Sequence, residues 1–142
     1  MEYNEKNNLS KILVQKEVTY WIKRVYNLYT VIQEWLIDKP EYKLVVGRPI
    51  MMFEELMQLY GIKPQEVNTA DLFKDNYLLL TFKPKGLWII GANGRIDIIS
   101  RKGNYILVDY SNKFQNSRWH IHTAQDKNNG KLFNRDDLLD IL

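Results

Sequence analysis

The sequence predicts an α+β fold: a long N-terminal helix and a second helix packed on one face of an antiparallel sheet of about five strands, with a short C-terminal helix. Two observations carry this prediction. No Gly or Pro occurs before Pro40, and short β-branched and aromatic runs alternate with turn residues from Tyr77 to Thr123. A chain of 142 residues can bury its own core, so we expect a single domain spanning residues 1–142.

The N-terminal helix is predicted to run from about Leu9 to Ile37, and Lys39-Pro40 ends it because the residue before proline is driven out of the helical region. Its apolar residues recur at steps of four and three, with a second stripe beside them. The heptad positions are Val14, Val18, Trp21, Val25, Leu28, Ile32 and Trp35, and the second stripe is Ile22, Tyr26, Tyr29 and Leu36. We expect this face to pack across the sheet; a homodimer through the same seam is the other interpretation.

A second helix is predicted to begin at Pro49, with Gly61 as its left-handed C-terminal cap and Ile62 packing back onto it. Its apolar residues keep helical spacing; they are Ile50, Phe53, Leu56, Met57 and Tyr60. The continuation superficially has the spacing of a helix-turn-helix. The would-be recognition helix from Pro64 to Phe73 contains acidic residues and no arginine, however, so it matches DNA contacts poorly.

The remaining elements are read from period-two alternation and turn residues. A tight turn is predicted at Asn93-Gly94 with both residues at positive φ, and Asn134 is predicted to cap the last helix. The predicted strands are Tyr77–Lys83, Leu87–Ile90, Arg95–Ser100, Tyr105–Tyr110 and Arg118–Thr123, and the final helix is Arg135–Ile141.

Composition limits the classes of function. The chain has no cysteine, which excludes thiol nucleophiles and thiolate zinc sites and agrees with a reducing compartment. The N-terminus is polar and acidic rather than signal-like, and no apolar run approaches the length of a membrane span. Residues 1–71 carry a net charge of −1 and residues 72–142 a net charge of +4. We therefore expect a cytoplasmic protein with no membrane contact and a mildly basic C-terminal half.

Strand alternation predicts a polar sheet face, on which side chains of three successive strands would meet. Its predicted members are Arg95, Asp97, Tyr105, Asp109, Arg118, His120 and His122. This face could bind a polar or anionic partner, or hold a metal through the two histidines and a carboxylate, or simply be solvated. With only two histidines in the chain, a three-histidine catalytic site is excluded.

Catalytic patterns are weak throughout. Asp97 and Asp109 invite comparison with nuclease cores, but no acid-x-lysine pair follows Asp109. The turn from Gly91 to Gly94 lacks the lysine and the helix of a phosphate loop, and no serine has a nucleophile-elbow sequence. No cofactor is predicted.

The sequence thus favours a non-enzymatic binding or protein-interaction module, bacterial in style because it is rich in Lys, Asn, Ile and Tyr. Aromatic residues in the sheet region could anchor a protein partner or stack nucleobases, although at least two are expected in the core; they are Trp88, Tyr105, Tyr110 and Trp119. The expected partner is a protein or a second copy, with nucleic acid as a further possibility. The alternative is a metal-dependent or nucleic-acid-processing enzyme that uses the polar sheet face.

Overall fold

The part of the chain that the structure describes forms a long helix, a seven-stranded antiparallel sheet, a short helix between the first two strands and a short C-terminal helix. The structure, a computed structural model, describes residues 2–89, 91–123, 125 and 130–142, with side chains from residue 9 onwards. In chain order the elements are α1 (Glu2–Trp35), β1 (Tyr42–Met52), α2 (Glu55–Leu59), β2 (Gln65–Lys74), β3 (Tyr77–Gly86), β4 (Arg95–Ser100), β5 (Gly103–Asp109), β6 (Trp119–Thr123), β7 (Lys131–Leu132) and α3 (Arg135–Ile141). The α+β class is confirmed.

Helix α1 packs its predicted apolar face against the sheet. Every heptad position from Val14 to Ile32 is buried, and Trp35 is partly buried. In the second stripe, Tyr29 and Leu36 are buried, while Ile22 and Tyr26 are partly buried. The apolar heptad positions are therefore buried within the chain itself, as expected for a helix that packs on the sheet. A second copy would need a different surface.

The sheet is a meander in which each strand pairs with the next, from β1 to β7. The loop between β2 and β3 contains only Asp75 and Asn76, with φ of 48° and 71°, and its flanking residues Lys74 and Tyr77 are paired. Two positive φ angles are what a primed hairpin turn needs. The primed turn predicted at Asn93-Gly94 is wrong, because among the described residues Asn93 is not one of those with positive φ.

The predicted second helix is wrong over its first half. Pro49 and Ile50 belong to β1, and only Glu55–Leu59 is helical. Within the described residues, β1 lies at the edge of the sheet and pairs with β2 alone, so a proline without an N–H is tolerated there. The register shifts between Val46 and Pro49. The helix stop itself is confirmed: Gly61 has φ of 67°, and the N–H of the buried Ile62 donates to the carbonyl of Met57 at 2.9 Å.

Among the described residues the sheet has seven strands instead of five, because β1, β2 and β7 were not predicted and the predicted strand Leu87–Ile90 is not formed. The segment that resembled a DNA-recognition helix is strand β2, and β1 replaces a connector. Of the predicted strand Leu87–Ile90, only an isolated bridge from Ile89 to Ala92 is seen, and Ile90 lies outside the described residues. The C-terminal helix is confirmed, with Asn134 accepting from the N–H of Asp137 at 2.9 Å.

One apolar core joins the three helices to the sheet. Its largest fully buried side chains include Trp21, Phe82, Met57 and Leu138. Glycine is required at position 94 because an ideal Cβ there would lie 2.2 Å from the Trp21 ring. Within the part of the chain that the structure describes, no helix combines the length and apolarity needed to cross a membrane.

Candidate functional site

A cleft of about 300 Å³ opens between α1 and the segments that follow β3 and β5. We call it the aromatic cleft, because three aromatic side chains, Tyr20, Trp88 and Phe114, form part of its wall. Its remaining lining residues are Glu17, Arg24, Leu87, Ile89, Ala92, Asn93 and Lys113. Helix α1 supplies one side of the cleft, so the long packed helix gives it a rigid edge.

Asp109, the last residue of β5, holds together the side of the cleft opposite α1. This carboxylate is fully buried: one oxygen accepts from the N–H groups of Ser111 and Arg118, each at 2.9 Å, and the other pairs with the Arg24 guanidinium of α1. Burial alone would raise the pKa of Asp109. The two N–H groups, the Ser111 side chain and Arg24 outweigh it, so the pKa lies below its ordinary value. Asp109 is therefore an ionised anchor for the loop at residues 111–118.

Asn93 ties the segment after β3 to the same anchor. Its backbone carbonyl accepts from Arg24 at 2.9 Å, and its N–H donates to the carbonyl of Asp109 at 2.7 Å. The side-chain amide of Asn93 donates to the carbonyl of Ser111. Helix, strand end and both loops thus meet in one network of hydrogen bonds, which fixes the shape of the cleft before any ligand arrives.

Glu17 lies in the wall of the cleft with only 7% of its surface exposed. One of its oxygens accepts from the Trp88 indole N–H at 2.7 Å, and the other pairs with Lys113 Nζ at 2.9 Å. On the other flank, Glu54 accepts from the backbone N–H groups of Leu87 and Trp88. These contacts fix the Trp88 ring, since both its backbone and its side chain are held.

Phe114 completes the aromatic wall in a strained backbone conformation. Its φ is 60°, a region that bulky side chains rarely occupy. The ring packs edge-on against Tyr20 with centroids 4.9 Å apart, and Lys16 Nζ lies 4.3 Å from its centroid. Backbone strain of this kind is most often retained where the position of a side chain matters for function.

The predicted polar sheet face is only partly assembled. Asp97, Ile106 and His122 are neighbours across β4, β5 and β6, and so are Arg95, Val108 and His120 in the next row. Arg95 Nε also pairs with Asp97 Oδ1 at 2.7 Å. Residues paired directly across antiparallel strands share a face. Arg95, Asp97, His120 and His122 therefore lie together, as alternation predicts.

Strand alternation predicts Tyr105 and Asp109 on the polar sheet face, and this prediction is wrong. Tyr105 pairs with the fully buried Ile98, and Asp109 pairs with Trp119, whose ring centroid lies 6.0 Å from that of Trp21 in α1. Both therefore face the helix. Arg118 precedes β6, exposes its side chain and donates its backbone N–H to Asp109.

The two histidines gather around Tyr110 rather than around a carboxylate. The Tyr110 ring lies 5.0 Å from that of His120 and 5.9 Å from that of His122, and the Tyr110 hydroxyl is 3.2 Å from His122 Nε2. His122 is buried, and a Cβ on Gly130 would lie 2.3 Å from its ring. Among the described residues, no three His, Asp or Glu side chains are close enough to share a metal ion.

Most of the aromatic cleft escapes sequence reasoning. The sequence predicts a binding role for only one of the aromatic residues of the cleft, Trp88. Of the other aromatic residues predicted to bind, Trp119 is in the core, Tyr105 is half-buried and Tyr110 is exposed. The sequence did contain one sign of the cleft: Glu17 is an acidic residue directly beside Val18, on the apolar side of α1. Glu17 and Trp88 are 71 residues apart, so their contact could not be read from spacing.

No protein-family model, curated protein or solved structure shows significant similarity to this chain.

Proposed function

We propose that the chain is a non-enzymatic binding module that holds a protein partner in the aromatic cleft. The observation that carries this proposal is a preformed concave site in which Tyr20 and Phe114 pack edge-on and Trp88 is held by a hydrogen bond to Glu17. Aromatic residues fixed around a pocket are the usual anchors of protein interfaces, because they bury a large area while losing little conformational entropy.

The size of the cleft supports a side chain as the occupant. A volume of about 300 Å³ is at the lower end of the range of small-molecule and cofactor sites. It suits one large side chain that projects from a partner, and the rest of that partner would lie on the surrounding surface. The charged groups that line the cleft already have partners, since Glu17 pairs with Lys113 and Arg24 pairs with the buried Asp109 behind the wall.

The alternative, an enzyme that uses the polar sheet face with a metal or on nucleic acid, has less geometric support. Asp109 and Tyr105 lie on the opposite face, and His122 is enclosed by Tyr110 and Gly130. What remains of the polar sheet face is the Arg95–Asp97 pair and His120.

A peptide selection tests the proposal. The immobilised chain is panned against a phage-displayed library of random peptides, and the recovered phage are tested on Phe114→Gly and on Tyr77→Ala. Glycine accepts the positive φ of residue 114 and removes the ring. Tyr77 is 70% exposed and lies at the opposite end of β3 from the cleft, so its replacement is the matched control.

We expect enriched peptides to share a large apolar residue, to bind parent and Tyr77→Ala alike, and to lose at least tenfold in affinity for Phe114→Gly. No enrichment on the parent, or enrichment that ignores the loss of Phe114, would contradict the proposal.

A further inference from the structure

We infer that the partner presents an acidic segment, which inserts one aromatic side chain into the aromatic cleft and lays apolar side chains along the N-terminal turns of α1. This inference rests on the proposed function and names the chemistry of the partner. Three features of the surface lead to it.

The first feature is an exposed apolar stripe on α1. Leu9 is 67% exposed and Leu13 is 47% exposed. Steps of four, three and four residues connect Leu9, Leu13, Lys16 and Tyr20, so these side chains lie on one face of the helix. At 1.5 Å per residue the stripe extends about 16 Å from the cleft, roughly three helical turns. The cleft is thus the deep end of a longer surface.

The second feature is the charge around this surface. Lys16, Lys23 and Lys113 border it, and the ammonium groups of Lys16 and Lys23 lie 5.9 and 6.0 Å from the centre of the Tyr20 ring. Among the side chains that the structure describes, Glu17 and Asp109 are buried carboxylates beside the cleft, and each has a cation as its partner. Glu54, on the other flank, accepts from the backbone N–H groups of Leu87 and Trp88. Lys113 is paired with Glu17, whereas Lys16 and Lys23 have no carboxylate partner among the described side chains. The charge that Lys16 and Lys23 bring to this surface is positive, and it complements an acidic segment.

The third feature distinguishes an acidic partner from a cationic one. A carboxylate beside aromatic rings can also bind an ammonium group. Here the chain's own lysines already make these contacts: Lys113 forms an ion pair with Glu17, and the ammonium group of Lys16 lies over the Phe114 ring. A cationic ligand would have to displace them, whereas an acidic segment can bind while they stay in place.

Two pools of fluorescein-labelled 15-residue peptides test this inference by fluorescence anisotropy. Both carry a central Trp; the flanking positions are Asp, Glu or Leu in the acidic pool and Lys, Arg or Leu in the basic pool. We expect the acidic pool to bind at least tenfold more tightly, to lose at least tenfold when the central Trp is replaced by Ala, and to weaken as salt is raised from 50 to 500 mM.

Protein variants locate the binding. Leu13→Asp should weaken binding of the acidic pool at least fivefold, because it removes apolar area and adds a like charge. Leu59→Asp places the same change on another helix at a residue that is 72% exposed, and it should leave binding unchanged. Lys16→Glu should weaken the acidic pool and reduce its salt dependence.

The outcomes separate the two proposals. Equal binding of both pools, or tighter binding of the basic pool, would overturn the acidic partner while leaving the cleft as a binding site. Self-association that Leu13→Asp abolishes would assign the stripe to a second copy and also overturn it. If neither pool binds and the random library yields no cleft-dependent peptide, both proposals fail.

Discussion

Replacing Asp109 with Asn tests the network that shapes the aromatic cleft. The substitution keeps the size of the side chain but removes its charge and one acceptor oxygen. Arg24 then loses its ion pair while its side chain stays only 13% exposed, and an N–H from Ser111 or Arg118 can lose an acceptor. Breaking a buried pair by removing one partner costs about 3–5 kcal/mol, because the other charge is left uncompensated. We expect Asp109→Asn to lower the free energy of unfolding by about 3 kcal/mol, since the amide retains one acceptor.

Urea denaturation followed by tryptophan fluorescence measures this change, and a double-mutant cycle assigns it. Arg24→Met should also destabilise the chain, because it leaves the buried Asp109 without its cation. The double variant Arg24→Met/Asp109→Asn should be less destabilised than the sum of the singles, since neither charge then remains unpaired. Additive effects would show that the two groups do not interact.

Acid provides a second measurement of the same group. The pKa of Asp109 is lower in the folded chain than in the unfolded chain, so its contribution to stability is complete above the unfolded value of about 4. That contribution is lost as the pH falls through the lower, folded value. The free energy of unfolding of Asp109→Asn should therefore decline less between pH 5 and pH 2 than that of the parent. A substitution that leaves stability at pH 7 within about 0.5 kcal/mol of the parent would refute the reasoning.

The remaining predictions concern the core and its turns. Leu28→Ala should lower the free energy of unfolding by about 2–5 kcal/mol because Leu28 is buried in the seam of α1; an unchanged denaturation midpoint would contradict the packing. Gly94→Ala should destabilise the chain more than Gly91→Ala: both residues have positive φ, but only a Cβ at position 94 meets the Trp21 ring. Equal losses in thermal melts would show that Trp21 does not constrain this turn.

The N-terminal helix could be predicted because its pattern repeats over many turns. Seven heptad positions agree with one another, so a single exception such as the half-buried Trp35 does not change the result. Pro49 misled because its neighbours Ile50 and Phe53 also fit helical spacing. This segment is a strand because it lies at the edge of the sheet, where proline is tolerated. That position depends on tertiary structure, so it cannot be predicted from the local sequence.

The face of β5 was assigned wrongly for a related reason. The run from Tyr105 to Val108 is apolar at every position, so period-two alternation does not decide which alternate side chains face the helix. Burial shows how similar the two sides are: Leu107 on the helix face is fully buried, and Ile106 on the other face is only 6% exposed. Pairing with β4 and β6 determines the orientation of β5, and it is the opposite of the predicted one. Asp109 therefore lies on the helix side of the sheet and not on the polar sheet face.

The residues around the aromatic cleft are where the chain departs most from local rules. Glu17 is a carboxylate buried on the apolar side of a helix, Phe114 holds a positive φ, and Asp109 is an acidic residue at the end of a strand with no exposed surface. Each arrangement costs stability that an apolar residue or a glycine would not. All three contribute to one place, because Glu17 and Phe114 line the cleft and Asp109 anchors the loop that carries Phe114. Violations of local preference that converge on a single concave surface are typical of a functional site, and this convergence favours the aromatic cleft over the polar sheet face.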